Sequence, residues 1–458
     1  MQLAMSETSR HRILPGVAFM VWLRSAAGQL QLLLALAVIF GGGGVGAPLF
    51  NLIVQLGALL VLAMQPRAVR AFAMETPRPL QLLLLLTLAI PLLQVVPLPP
   101  ALWRSLPGRD LVSEVMLATG VTEPGWFPLS VHPVRTFIAF ASLIAPATII
   151  VIGSSLSEKH RTHLLIVFGA LAGLCVLLGA AQASAQGEWF QIHAVRETTE
   201  VLTATFANRN SSGVFFVLAL YALAALPWQN WPRSIVLPGI AGGGLLALAT
   251  ILTQSRSSMV LLFIPLALMG WRAFAVRIGK NDGLSGAGGS LAISAVLIAL
   301  VFGTALALST LAGGRTAGSF ARFAETQTDR PAMWEDAFTA AAHYAPLGSG
   351  MGTFDDVFQI HESLENVSPR RAGRAHSDWI EIVIEAGYPA LLLALAWLGW
   401  GVRRGFAAGC WSGRASAAGI LCIALQSLVD YPLRTQTLLC IAAVFVVMLA
   451  PSGREEKV

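Results

Sequence analysis

The residues of this chain best suited to chemistry are two arginines and a histidine, each set where an apolar stretch meets a polar one. Arg256 lies in Thr253-Gln254-Ser255-Arg256-Ser257-Ser258, a very short polar turn between two apolar spans. A guanidinium there either snorkels to anchor a helix end or clamps a phosphate, whose oxygens its planar fork matches. Arg330 precedes Pro331, and a helix is expected from Pro331 to about His343, with the proline in its first turn. Trp334, Phe338 and Ala341 would form its apolar face. Free N–H groups at such a helix start favour anions; the plainer alternative is pairing of Arg330 with Asp329 or Glu335. His376 is followed by Asp378, Glu381 and Glu385. Those three acids share one helix face. A histidine backed by a carboxylate is a general base near neutral pH, and a helix-capping histidine is the alternative.

Weaker candidates surround these. In Asn208-Arg209-Asn210 the first residue suits a helix N-cap, and Arg209 and Asn210 are candidate binding residues beside it. Asp378 is a further candidate binding residue. In Asp430-Tyr431-Pro432-Leu433-Arg434 an Asp430–Arg434 pair across the turn is expected. Trp103 is expected at the membrane interface as an aromatic anchor. The run Gly348-Ser349-Gly350-Met351-Gly352 does not follow a strand in a βαβ unit, so it is not a nucleotide loop. A tight turn that folds a loop onto the membrane core is expected instead.

The elements that must position these residues are apolar. Hydrophobic residues make up 55% of the 458 and charged residues only 12%, against about 25% charged in soluble proteins. About 20 mostly apolar residues cross a bilayer as a helix. Candidate spans are 26–42, 47–65, 79–96, 134–153, 163–182, 211–227, 234–252, 257–272, 290–312, 380–401, 415–429 and 433–450. The expected fold is therefore all-α and polytopic. It forms a single membrane domain over 1–458, with about twelve transmembrane helices and one long, partly helical loop at 313–379.

Lys and Arg set the orientation. With the long loop set aside, seventeen lie on the side of the N-terminus and seven on the other, and every lysine is in the first group. Both termini are thus expected in the cytoplasm and the long loop outside it. The net charge of +6 is spread in short clusters between spans, which is a topology signal and gives no nucleic-acid surface. Cys175, Cys410, Cys422 and Cys440 lie in or beside apolar spans with no C-x-x-C, which speaks against disulfides and zinc and for small buried side chains. No acid or base falls in the middle of an inner span, unlike in proton- or ion-coupled transporters.

Several motifs occur in order: the Ser255-Arg256 turn, Arg330-x-x-x-Trp334, Pro346-Leu347-Gly348-x-Gly350-x-Gly352-x-Phe354, and Ala375-His376-Ser377-Asp378 with Glu385-Ala386-Gly387. Together, over roughly residues 200 to 400, they resemble the O-antigen ligase and polysaccharide polymerase superfamily of bacterial inner-membrane proteins. Gln94 to Pro100, Leu106 to Arg109 and Leu428 to Arg434 are similar to its exopolysaccharide-type members. The resemblance implies a multi-pass inner-membrane glycosyltransferase with its large loop in the periplasm. It implies a glycan on undecaprenyl diphosphate as donor, and a growing glycan as acceptor in a polymerase or lipid A core in a ligase. It also implies inversion at the anomeric carbon without metal or nucleotide cofactor, and polysaccharide assembly proteins as possible partners. On this pattern Arg256 and Arg330 bind the diphosphate and His376 serves the acceptor hydroxyl. The family often has His followed by Asn. Here Ser377 follows, which leaves the partner that orients His376 open.

Overall fold

A computed structural model describes residues 15–121, 125–185, 189–193, 201–277, 330–367 and 372–451. Every expected span within those residues falls on a helix; the expected span 290–312 and loop residues 313–329 lie outside them. Six helical stretches are long and apolar enough to cross a membrane: Ala26–Gly44, Pro133–Gly153, Glu158–Ser184, Arg233–Leu252, Arg256–Ala275 and Asp378–Ala407. Pro48–Met64 and Pro66–Glu75, bent by 79° at their junction, supply a seventh if counted as one span. Shorter apolar helices are Arg78–Gln94, Arg209–Ala225 and Gln436–Leu449. The only strands among the described residues form a two-residue antiparallel ladder, Pro97–Leu98 with Phe127–Pro128.

Arg209–Ala225 is the centre of the bundle. Its side chains from Val214 to Ala222 are fully buried, as expected of a helix that is apolar on every face. It packs against Trp411–Gln426, Arg233–Leu252 and Glu158–Ser184. At one end of the bundle, arginines satisfy carbonyls left free at helix C-termini. Arg161 donates to the carbonyls of Leu156, Ser154, Val447, Ala450 and Pro451. Arg404 reaches Leu449, and Arg272 reaches Ala224 and the Gln229 side chain. These arginines belong to the segments whose positive charge sets the expected orientation.

At the opposite end the polar segments fold onto one another. The Ala207 N–H donates to Gly42 and that of Leu202 to Leu252. The Ser130 N–H donates to Gln94 and that of Val131 to Ser349. Residues 330–367 and 372–377 form a cap with its own small core of Ala337, Ala340, Ala341, Tyr344, Phe354, Val357 and Phe358, which packs against Ile380 and Ile384.

The cap is held by a break in a membrane helix. Asp378–Ala407 is interrupted at Gly387, where φ is 65° and ψ −163°, a conformation open almost only to glycine. The break frees carbonyls that the glycine run then takes up. The Ile384 carbonyl accepts from Ser349, and the Glu385 carbonyl accepts from the Gly350 N–H and the Gln94 side chain. The Tyr388 N–H turns to Pro346 at 3.0 Å. A Cβ on Gly387 would sit 1.9 Å from the Pro346 oxygen, and one on Gly348 would sit 2.5 Å from the Glu385 carbonyl carbon. Glycine is needed here because two backbones touch.

Three expectations are corrected. Trp103 is no interface anchor: it is 4% exposed, rests on Phe127 and donates to the Pro128 carbonyl. The exposed tryptophan of that loop is Trp126. Phe338 is exposed, because the cap helix Arg330–Tyr344 buries the stripe Ala337, Ala340, Ala341 and Tyr344. Cys410 is exposed, while Cys175, Cys422 and Cys440 are buried.

Candidate active site

The candidate site is organised by residues 426–435, the end of Trp411–Gln426 and the turn that joins it to Gln436–Leu449. The Val429 and Asp430 N–H groups both donate to Gln426, at 3.1 and 2.9 Å, so the helix runs on for one turn. Pro432, which has no N–H to continue it, then opens the 3-10 turn Pro432–Arg434.

Each candidate segment attaches to this turn. Arg330 Nη1 donates to the Val429 carbonyl at 2.7 Å. His376 Nδ1 lies 3.4 Å from Asp430 Oδ1, and its ring centroid is 5.1 Å from that of Tyr431. The Gln426 amide donates to the hydroxyl of Ser257, the neighbour of Arg256, at 3.0 Å. The Asn208 amide donates to the Tyr431 hydroxyl at 3.0 Å. Asn208 caps its helix as expected, accepting from the Asn210 N–H at 2.7 Å. The Asn210 carbonyl in turn accepts from Ser258. The four attachment residues, Gln426, Val429, Asp430 and Tyr431, fall within little more than one helical turn, about 6–8 Å of rise. Segments distant in sequence therefore converge there.

The frame is buried and the candidate side chains are not. Arg209, Asn210, Arg256, Arg330 and His376 are all half-buried, whereas Ser427, Asp430, Glu381 and Glu385 are buried. Asp378 stands with the frame. It accepts from Ser427 Oγ at 2.9 Å and the Leu433 N–H at 3.1 Å, with Arg434 Nε 3.5 Å away.

His376 has φ 51°, and Gln254, two residues before Arg256, has φ 56°. Left-handed backbone at non-glycine residues costs on the order of 1–3 kcal/mol and gathers at functional sites. The strain at His376 is fixed from both sides. The Ala375 carbonyl accepts from Trp334 at 2.7 Å, and its N–H donates to Glu381 at 2.9 Å. Ser377 caps the following helix, and its hydroxyl donates to the Ser427 carbonyl at 3.1 Å.

The carboxylate facing His376 is Asp430; neither Asp378 nor its helix neighbours take that place. The expected Asp430–Arg434 pair does not form. Arg434 turns instead to Glu385 at 2.8 Å, Glu381 at 3.0 Å and Asp378 at 3.5 Å. Three buried carboxylates on one helix face demand a cation, and Arg434 lies where all three can reach it. Burial alone would lower its pKa, but Glu385, Glu381 and Asp378 outweigh this and hold it above the usual arginine value. Burial, followed by the nearby Asp430, pushes the Tyr431 phenol up to about 12, so its hydroxyl keeps its proton. Arg374 pairs with Glu381 at 3.1 Å and lies 5.9 Å from the centre of the Tyr431 ring. Among the described residues no group of three His, Cys, Asp or Glu side chains could hold a metal ion.

The chain is thus an all-α, multi-pass membrane protein with a polar cap folded over one end of the bundle. Residues 241–395 match the model of the O-antigen ligase family, and the chain carries that family's domain over this stretch. Members of the family are glycan-transferring enzymes. The matched stretch takes in Arg256, Arg330, His376 and the Gly387 break, and leaves Arg209, Asn210, Asp430 and Arg434 outside. No curated protein matches the chain.

Proposed function

We propose that this protein is an inner-membrane glycosyltransferase that moves a glycan from undecaprenyl diphosphate to an acceptor hydroxyl, polymerising surface polysaccharide repeats. The observation that carries the reading is the attachment of Arg330, His376 and the Arg256 segment to one short turn. On this reading about twelve helices cross the membrane, both termini are cytoplasmic, and the cap lies in the periplasm. The polyprenyl tail stays in the bilayer, so the diphosphate lies at the membrane surface beside Arg256 and Arg330.

With His376 Nδ1–H directed at Asp430, Nε2 is left to take the acceptor proton. The acceptor oxygen attacks the anomeric carbon as its proton passes to Nε2. The bond from that carbon to the diphosphate oxygen breaks, and its electron pair leaves with the lipid diphosphate, inverting the centre. Arg256 and Arg330 stabilise the charge that develops on the leaving oxygen, and removing one such donor costs on the order of 100- to 1,000-fold in rate. A general base contributes on the order of 100- to 10,000-fold. Arg209 and Asn210 bind substrate at the neighbouring helix start, and Asp378 acts through the turn it holds.

The test is purified protein in a lipid bilayer, supplied with a lipid-linked repeat and followed for chain growth. Arg256→Ala, Arg330→Ala and His376→Ala are expected to abolish growth while remaining folded. Undiminished growth in Arg256→Ala and His376→Ala would refute the mechanism. Transfer only when a lipid A core acceptor is added would identify a ligase.

A further inference from the structure

We propose that Arg434 is a positioning residue for this site, the pin that fixes where Asp430 and the Val429 carbonyl stand; the proposal rests on the functional reading above. Arg434 contacts none of the candidate catalytic side chains. Its three guanidinium nitrogens are divided among three carboxylates: Nη1 with Glu385, Nη2 with Glu381 and Nε with Asp378. A planar fork holds its donors at fixed angles on three separate nitrogens, whereas an ammonium carries three rotatable donors on one.

Each of those carboxylates holds a different part of the site. The second oxygen of Glu385 accepts from the Phe354 N–H, which opens a cap helix. Glu381 accepts from the Ala375 N–H and from Arg374, just before the strained His376. Asp378 holds Ser427 and Leu433, on either side of the residues that meet Arg330 and His376. The Asp378 N–H also donates to the Asp430 carbonyl at 3.1 Å. The turn's backbone is thus tied at 427, 430, 433 and 434, and the Val429 carbonyl and the Asp430 and Tyr431 side chains project from between its ends. Loosening Arg434 frees the turn's far end and relaxes the three carboxylates together. The donor-binding Arg256 stays untouched.

The test compares wild type with Arg434→Lys, which keeps the charge and loses the fork. By analogy with residues that orient ligating side chains, kcat for chain growth should fall on the order of 10- to 100-fold, a larger change than any in KM for the lipid-linked donor, which Arg330 also helps to bind. Size-exclusion profile and melting temperature should change little. A readout independent of activity is the rate at which His376 is carbethoxylated by diethyl pyrocarbonate, measured by peptide mass spectrometry against the other histidines. It should change at least ~3-fold in Arg434→Lys. Wild-type kcat together with wild-type His376 reactivity would overturn the proposal, as would a loss of kcat only in proportion to the loss of folded protein. If Arg434→Lys does not fold, Glu385→Gln removes one of the three ion pairs and should show the same pattern at smaller amplitude; wild-type behaviour there would overturn it as well. Absence of chain growth by the wild-type protein would count against the functional reading alone, since the His376 reactivity measurement still tests Arg434.

Discussion

Replacing Gly387 with alanine should unfasten the cap, and the cost can be worked from the structure. The residue holds φ 65° and ψ −163°, where any side chain adds about 1–3 kcal/mol of backbone strain. Its Cβ would meet the Pro346 oxygen at 1.9 Å and the Leu347 carbonyl carbon at 2.8 Å. The glycine run must retreat, at about 1–3 kcal/mol for overpacking. That retreat also breaks the Tyr388 to Pro346 hydrogen bond, for about 1 kcal/mol more. The sum is roughly 3–7 kcal/mol. Gly399, in the same helix, is the control: its Cβ would meet nothing within 4 Å, and alanine there should stabilise by about 0.5–1 kcal/mol. Melting in nanodiscs at one scan rate, as irreversible unfolding requires, should place Gly387→Ala roughly 3–7 °C below wild type, at about 1 °C per kcal/mol for a chain of this length. Protease cleavage within residues 362–367 should rise in parallel. Equal melting temperatures for Gly387→Ala and Gly399→Ala would refute the claim that backbone contact at the break fastens the cap.

Other consequences are simpler to check. Trp103→Ala should destabilise by about 3–5 kcal/mol, while Trp126→Ala should stay within about 0.5 kcal/mol of wild type; melting curves of the pair decide whether the loop that carries both is a packed unit. Burial alone would raise the pKa of Asp336, but hydrogen bonds from Asn366 and Ser363 outweigh it and hold the carboxyl below its ordinary value. A depressed folded pKa stabilises above the unfolded value near 4 and ceases to do so as pH falls through the folded value. Pepsin should therefore cleave the cap faster as pH drops below about 4, and Asp336→Asn should weaken that pH dependence. An unchanged dependence in the variant would refute the assignment.

Local pattern made the helices legible, because apolar runs between basic clusters are a one-dimensional signal. The Asn208 cap and the helix opened by Arg330 were legible for the same reason. The break at Gly387 was not, since 380–401 reads as one continuous apolar span; the available sign was Gly387-Tyr388-Pro389, a pair of helix breakers two residues apart. Trp103 was misread because a tryptophan near a membrane suits either an interface or a small core, and only the ladder with Phe127–Pro128 decides between them. Asp430 was misassigned because adjacency favoured Arg434. What settles its partner is the carboxylate face of a helix some fifty residues earlier, which draws Arg434 away.

The distribution of charge argues for an anionic ligand more strongly than the number of arginines does. Arg135 pairs with Asp355 and Asp356, Arg374 with Glu381, and Arg434 with three carboxylates. Those guanidinium charges are cancelled locally. Among the described residues Arg330 is different: the partner it shows there is the carbonyl of Val429, a neutral acceptor that fixes the side chain without cancelling its charge. Were Glu381 and Glu385 not engaged by Arg434, they would compete with a diphosphate for the nearby arginines, since buried carboxylates bind guanidinium groups as readily as phosphates do. Arg434 therefore matters electrostatically as well as geometrically. By engaging Asp378, Glu381 and Glu385, with Arg374 sharing Glu381, it keeps those carboxylates turned away from Arg330, whose charge stays available at the half-buried face, where on the proposed function the leaving group arrives.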